Sequence, residues 1–311
     1  YSDYSRSVFL NRVHQGGPDM SSIEKAAERL SRREGHQPEP SQPSAPDAEK
    51  NSIETAAEHV FERVQKEEPK PSSAGDIHLE KRLTDGKIGL ITGILAEQYR
   101  MLKRRVRSNL ESDRLSPETR NTVMVTIALP GEGKTFNALN LAISMSKEMD
   151  HTVLLVDTDL VKRSLSGLLG LKGSPGLVDV LSGRTSMSEA LKWSDIPKLA
   201  VLPAGSYEPQ AVELLSSGKM RELAREIATR YSDRIVVFDA PPLLSTSHAA
   251  VLSSLMGQVL FIVAQGRTPQ QAVEEGVNLL SPNPLTGFVF NMASGAFDSY
   301  YGRYYVPDEQ Q

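Results

Sequence analysis

Cysteine is absent from the 311 residues, tryptophan occurs once, and no apolar run approaches the roughly eighteen residues that a membrane span requires. Without thiols there are no disulfides, no thiolate zinc site and no cysteine-ligated iron–sulfur cluster, and the composition fits a reducing compartment. Runs such as VLFIVA (259–264) and FVF (288–290) are strand-sized. The opening residues, YSDYSRSVFLNRVHQGGPD, lack the apolar segment of a secretory signal. A dominant charge of one sign is lacking too. The net charge is −4, which gives no global argument for nucleic acid as a partner. A soluble, cytoplasmic protein is the expectation. The hydrophobic fraction of 39% hints that part of the chain is not globular, but the length allows one large α/β domain plus an extension.

The extension is visible as a change of texture. Residues 31–50 and 66–76 are rich in Pro, Ser, Glu and Lys, a composition that buries too little apolar surface to offset chain entropy. Between and before them stand SIEKAAERL (22–30) and SIETAAEHV (52–60), which share six of nine residues with apolar positions at helical spacing. Two short amphipathic helices in a disordered arm, over 20–85, have the character of docking peptides that fold on a partner. Met20 opens the first copy, and residues 1–19 are left as an extension without an assigned role.

From about residue 86 the pattern is that of a packed domain. TVMVTIAL (122–129), TVLLVD (152–157), LAVLP (199–203), RIVVFD (234–239), GQVLFIVA (257–264) and TGFVFN (286–291) read as strands. Helix-length segments at 134–149, 210–230, 246–256 and 268–280 separate most of them. Such alternation predicts βαβ units and a mainly parallel sheet flanked by helices.

The first strong strand runs into ALPGEGKTF (128–136), which fits the phosphate-loop pattern G-x-x-x-x-G-K-[ST] except that Ala128 stands at its first position. Gly131 and Gly133 let successive N–H groups turn toward phosphate oxygens, Lys134 reaches the outer phosphates, and the Thr135 hydroxyl suits Mg²⁺. The following helix adds its positive end. The nucleotide site is therefore expected at Pro130, Gly131, Glu132, Gly133, Lys134, Thr135 and Phe136, with ATP and Mg²⁺ as cofactors. Two further strands end in acids, VLLVDTD in Asp157 and Asp159 and IVVFDAPP in Asp239. Ligands in open parallel sheets bind beyond the carboxyl ends of the strands, so these carboxylates converge on one site. Asp157 and Asp239 are expected to hold Mg²⁺ and water, and Asp159 to act less directly.

These motifs, with the opening MSSIEKAAERL, the stretch PAGSYEPQAVELLSSGKM (203–220) and a tyrosine-rich tail, resemble the bacterial tyrosine autokinases of exopolysaccharide synthesis. The similarity covers residues 20–30 and about 86–311 and is nearest to a soluble, exosortase-associated branch. The resemblance implies a P-loop kinase domain over 86–294. It implies Lys134 and Thr135 on phosphate and Mg²⁺, Asp239 holding the metal directly or through water, and Asp157 as the base for the tyrosine proton with Asp159 in support. Asn291 matches a position that contacts adenine in related ATPases, or else caps its strand. EQYRMLK (97–103) looks like the family's assembly motif, placing Glu97, Arg100 and Lys103 at the contact that closes subunits into a ring. Lys103 replaces an arginine and lacks its bidentate fork. Val161 stands where an arginine is common, leaving Lys162 or Arg163 to meet the γ-phosphate, or neither. The implied partners are further copies of the chain, a separate transmembrane activator that brings it to the inner membrane, and a tyrosine phosphatase.

Tyr300, Tyr301, Tyr304 and Tyr305 crowd four of the chain's nine tyrosines into six positions of the tail 295–311. Chain ends bury little, so these side chains read as substrates rather than packing. Four phosphates bring roughly −6 to −8 charges, enough to repel the tail from an anionic site and to loosen a ring. The competing readings are a partition-type ATPase and an ATP-switched scaffold. The former carries a signature lysine where Leu129 stands here, and has no use for the tyrosines.

Overall fold

The structure, a computed structural model, describes residues 7–9, 77–84, 93–208, 211–230 and 233–293. The Pro- and Ser-rich segments, both SIE repeats and the four tail tyrosines lie outside them. Strands β1 (Ser7–Phe9), β2 (Thr122–Ile127), β3 (Thr152–Asp157), β4 (Lys192–Trp193), β5 (Leu199–Leu202), β6 (Arg234–Asp239), β7 (Gln258–Ala264) and β8 (Leu285–Asn291) form one sheet in the order β1-β8-β7-β2-β6-β3-β5-β4. The strands from β8 to β5 in that order are mutually parallel, and β1 and β4 are antiparallel edges.

The strands are apolar almost throughout because both faces are covered. Met124, Leu154, Val156, Val236 and Phe238 face one layer, and Val123, Val125, Val153, Leu155 and Val237 face the other. The first layer contains α5 (Leu177–Leu181), α8 (Gly218–Thr229), α9 (Ser247–Ser253) and α10 (Gln270–Leu279). The second contains α1 (Leu79–Thr84), α2 (Gly93–Leu110), α3 (Lys134–Ser146) and α4 (Ser164–Leu168). Two four-residue helices, α6 (Met187–Ala190) and α7 (Ala211–Leu214), complete the set among the described residues.

Residues 77–84, ahead of the expected domain start at 86, share this packing. Leu79 is fully buried and its N–H donates to Asp195 Oδ1 at 2.7 Å. The stretch expected as one helix over 210–230 is divided. The first piece, Ala211–Leu214, ends three residues before Ser217, which caps the second, its hydroxyl accepting from the Met220 N–H at 3.2 Å. A serine's competing hydrogen bonds and a following glycine make this a better cap than a helix interior.

Strand order reverses around β2, since the chain goes from β2 out to β3 and β5, returns to β6, and only then fills β7 and β8 on the other side. The carboxyl ends at that reversal are where a ligand is accommodated.

Candidate functional site

Helix α3 starts at Lys134 directly after two left-handed glycines, Gly131 at φ 95° and Gly133 at φ 92°. A Cβ on Gly133 would lie 2.1 Å from Asn291 Nδ2. Asn291 ends β8, is fully buried, and donates that amide to the Glu132 carbonyl at 2.9 Å. The loop is therefore clamped through its backbone from the neighbouring part of the sheet.

Glu132 faces inward. Its carboxylate accepts the N–H groups of Ala128 at 3.0 Å and Leu129 at 3.1 Å and the hydroxyl of Thr268. Burial pushes its pKa up, and those three donors oppose the shift. The Glu132 side chain thus staples the loop, and only its backbone is left to meet a phosphate. Pro130 and Gly131 are exposed at the loop's tip, and Phe136 packs half-buried against the second apolar layer.

Asp157 and Asp239 are the last residues of adjacent parallel strands and are partners in register. Both carboxylates consequently project to the side of the sheet that carries α3, and both are fully buried. Lys134 Nζ stands 3.1 Å from Asp239 Oδ1 and 3.0 Å from Asp159 Oδ2, the latter an ion pair without the alignment of a hydrogen bond. The Thr135 hydroxyl donates to Asp239 Oδ2 at 2.7 Å. Burial alone would lower the pKa of Lys134, but the charges of Asp239 and Asp159 outweigh it and raise it above the ordinary lysine range. Asp239 is pushed up by burial, with Lys134 pulling the other way.

Asp157 is held differently. Its Oδ2 accepts the N–H of Ser166 at 2.8 Å and the Ser166 hydroxyl at 2.7 Å, and its Oδ1 accepts the Asp159 N–H at 3.2 Å. Burial and the adjacent Asp239 charge raise its pKa to about 7, even with those donors in place. The Asp159 carboxylate also accepts the Lys162 N–H at 3.1 Å, so it closes its own turn. Arg163 is in the left-handed region at φ 51°, and its guanidinium donates to the carbonyls of Leu160 at 3.2 Å and Ser206 at 3.0 Å.

The structure thus gathers Lys134, Thr135, Asp157, Asp159 and Asp239 at one point, with Asn291 behind the loop. Glu97, Arg100 and Lys103 lie apart on α2. Arg100 Nε donates to Glu97 at 2.6 Å, and Lys103 pairs with Glu148 of the same chain beside Arg107. Three residues that hold the site are not evident from the sequence. Ser166, Thr268 and Asn137 carry no motif: Ser166 meets Asp157 and Thr268 meets Glu132 through the fold, while Asn137 donates to the Gly133 carbonyl one turn back and accepts from Tyr99 on α2.

Comparison with known proteins follows the same lines. No family model matches the chain. It is 33% identical over 215 residues to the tyrosine-protein kinase YwqD of Bacillus subtilis, covering 68% of this chain and 87% of that one. It is 30% identical over 197 residues to the tyrosine-protein kinase wzc of Salmonella typhimurium, and there it spans only 27% of the relative's length. Among solved structures, the VpsO kinase domain superposes with a TM-score of 0.53 at 30% identity, over 63% of this chain and 98% of that one. The kinase domain of the Escherichia coli tyrosine kinase ETK gives a TM-score of 0.53 at 25% identity, over 65% and 79%.

Proposed function

The chain belongs to the bacterial tyrosine-protein kinases, and from that premise we propose that it transfers the γ-phosphoryl group of ATP to Tyr300, Tyr301, Tyr304 and Tyr305 of a neighbouring copy. The observation that carries this reading is Lys134 held between Asp159 and Asp239 with Thr135 on the same Asp239, directly behind a two-glycine phosphate loop. Phosphoryl transfer needs positioning and charge neutralisation more than covalent chemistry, and this arrangement supplies both.

The backbone of 130–135 and the start of α3 would cradle the phosphates, and Lys134 would follow the charge of the outer ones. The all-oxygen donor set of Thr135 and Asp239, with Asp157 beside them, suits a hard cation that keeps several waters, and so fits Mg²⁺. When bound, Mg²⁺ neutralises phosphate charge. Asp157, titrating near neutrality, is placed to take the phenolic proton as the tyrosine oxygen bonds to phosphorus and ADP leaves.

The wider reading is regulation of exopolysaccharide synthesis, supported by a relative from Klebsiella pneumoniae that is named as a putative tyrosine-protein kinase in the cps region. It includes a ring closed through Glu97, Arg100 and Lys103 on α2, a separate transmembrane activator, and a phosphatase that resets the tail. Among the described residues no helix is long and apolar enough to cross a membrane.

The test is mass spectrometry of the 298–311 peptide after incubation with Mg-ATP, comparing wild type with Lys134→Ala, with and without an activator fragment. Phosphate on the tail in wild type only is the expected result. An unmodified tail despite bound ATP would replace the kinase reading with an ATP-switched scaffold.

A further inference from the structure

The described residues include two tyrosines, and the fold treats them in opposite ways. Tyr99 is 2% exposed and donates its hydroxyl to Asn137. Tyr207 is 76% exposed. It follows β5, so it stands on the same carboxyl-end rim of the sheet as the phosphate loop, Asp157 and Asp239.

The backbone just before it is pinned. Ser206 donates its N–H to Asp179 Oδ2 at 2.9 Å, and the carbonyls of Pro203 and Ala204 accept from Leu177 and Val178 at 2.8 and 3.0 Å. A phenol in solvent on a fixed mount is a presented group, and it is held away from any packing role. Arginine stands on both sides of it. Arg163 lies over the ring, its Cζ 5.1 Å from the centroid, while it also donates to the Ser206 carbonyl. Arg184 pairs with Glu208, the next residue, at 3.2 Å and with Asp179 at 3.2 Å.

We propose that Tyr207 is a phosphoacceptor outside the tail, served by the active site of a second copy, and that Arg163 receives its phosphate. The inference rests on the kinase reading above. In the step, Tyr207 Oη bonds to the γ-phosphorus of ATP and the bond to the β,γ-bridging oxygen breaks. ADP leaves, and the phenolic proton passes to Asp157 of the donor copy. The new group carries about −1.5 to −2 charges. Arg163 then exchanges a neutral carbonyl and a ring face for a charge-assisted, fork-shaped contact, the stronger alternative for a guanidinium. The modification reaches the site, because the Arg163 N–H donates to the Asp159 carbonyl at 2.7 Å and the Lys162 N–H to the Asp159 carboxylate. Moving the guanidinium acts on the turn that presents Asp159 to Lys134.

The experiment uses the full chain. Wild-type protein is incubated with Mg-ATP or with a non-hydrolysable ATP analogue, and the tryptic peptide 199–219 and the tail peptides are compared by mass spectrometry. Phosphate on Tyr207 with ATP and none with the analogue is the expected result. Phosphate on the tail with 199–219 unmodified overturns this inference and leaves the kinase reading standing; no phosphate on either removes both. Isotope-labelled Asp157→Asn protein, close to isosteric, is then mixed with unlabelled wild type. Phosphate on the labelled 199–219 peptide supports service by a second copy, and its confinement to unlabelled chains overturns it. Arg163→Ala tests the receiver. A generic tyrosine phosphatase should remove the Tyr207 phosphate several-fold faster in that variant and the tail phosphates at an unchanged rate, whereas equal rates at Tyr207 would exclude Arg163 as its receiver.

Discussion

The hydroxyl of Tyr99 donates to Asn137 Oδ1 at 2.9 Å, and the same Asn137 side chain donates to the Gly133 carbonyl at 2.9 Å. Helix α2 is thereby tied to the last residue of the phosphate loop. Tyr99 lies within EQYRMLK, so the surface proposed for assembly and the loop proposed for nucleotide share a buried polar link. Tyr99→Phe keeps the ring and removes the donor, and should cost about 1 kcal/mol of stability. It should also weaken ATP binding several-fold by loosening the Gly133 end of the loop. Urea denaturation and nucleotide titration check the two effects separately, and lowered stability with unchanged ATP affinity would reduce the link to packing.

Gly133→Ala has two faults that can be told apart. A side chain at φ 92° is strained, at about 1–3 kcal/mol, and its Cβ would stand 2.1 Å from Asn291 Nδ2. Displacing Asn291 also breaks its hold on the Glu132 carbonyl. The single variant should lose measurable ATP binding and stability. The double variant Gly133→Ala/Asn291→Ala should regain part of the stability, because the clash is gone and the strain is not. Equal stability of the two would mean that the contact with Asn291 is relieved at no cost.

What the sequence makes legible is what is local. The glycines, Lys134 and Thr135 form one contiguous signal between a strand and a helix, and Asp157 and Asp239 announce themselves as acids that end apolar runs. Their meeting follows from parallel pairing, since strand ends in register put side chains on one face. Support from across the fold is not legible in this way. Thr268 reaches Glu132 from 136 residues away, and the role of the Glu132 side chain as a loop staple depends on that distant partner. Glu97, Arg100 and Lys103 read as one assembly motif, yet within this chain two of them pair with each other and the third with Glu148, a partner set only by the packing of α2 on α3.

Ser166 is the residue whose loss should be read in a pH profile. Its hydroxyl and N–H both stabilise the charged form of Asp157, and its hydroxyl also accepts the Ala204 N–H at 2.9 Å. Ser166→Ala removes one of the two donors, so the Asp157 pKa should rise further above its ordinary range. If Asp157 takes the tyrosine proton, the pH at which tail phosphorylation reaches half its maximal rate should move upward, while the plateau at high pH changes little. A fall in rate at every pH with an unmoved midpoint would make Ser166 a purely structural support.

Asp157 itself gives a stability prediction with a definite sign. Its pKa is raised in the fold to about 7 from an ordinary value of 3.8, mainly by burial and then by Asp239. Below the ordinary value the carboxyl is protonated in both folded and unfolded chains and contributes nothing to the pH dependence. Between there and about 7 the unfolded chain has released its proton and the folded one has kept it, so stability falls as pH rises; above that window the loss is complete and constant. Asp157→Asn removes the titrating group and keeps nearly the same shape. Urea denaturation without nucleotide should show the variant gaining on wild type steadily from about pH 4 to about pH 7 and running parallel to it beyond. Parallel curves through that window would mean that Asp157 is ionised in the folded protein throughout, and would remove it as a base poised near neutrality.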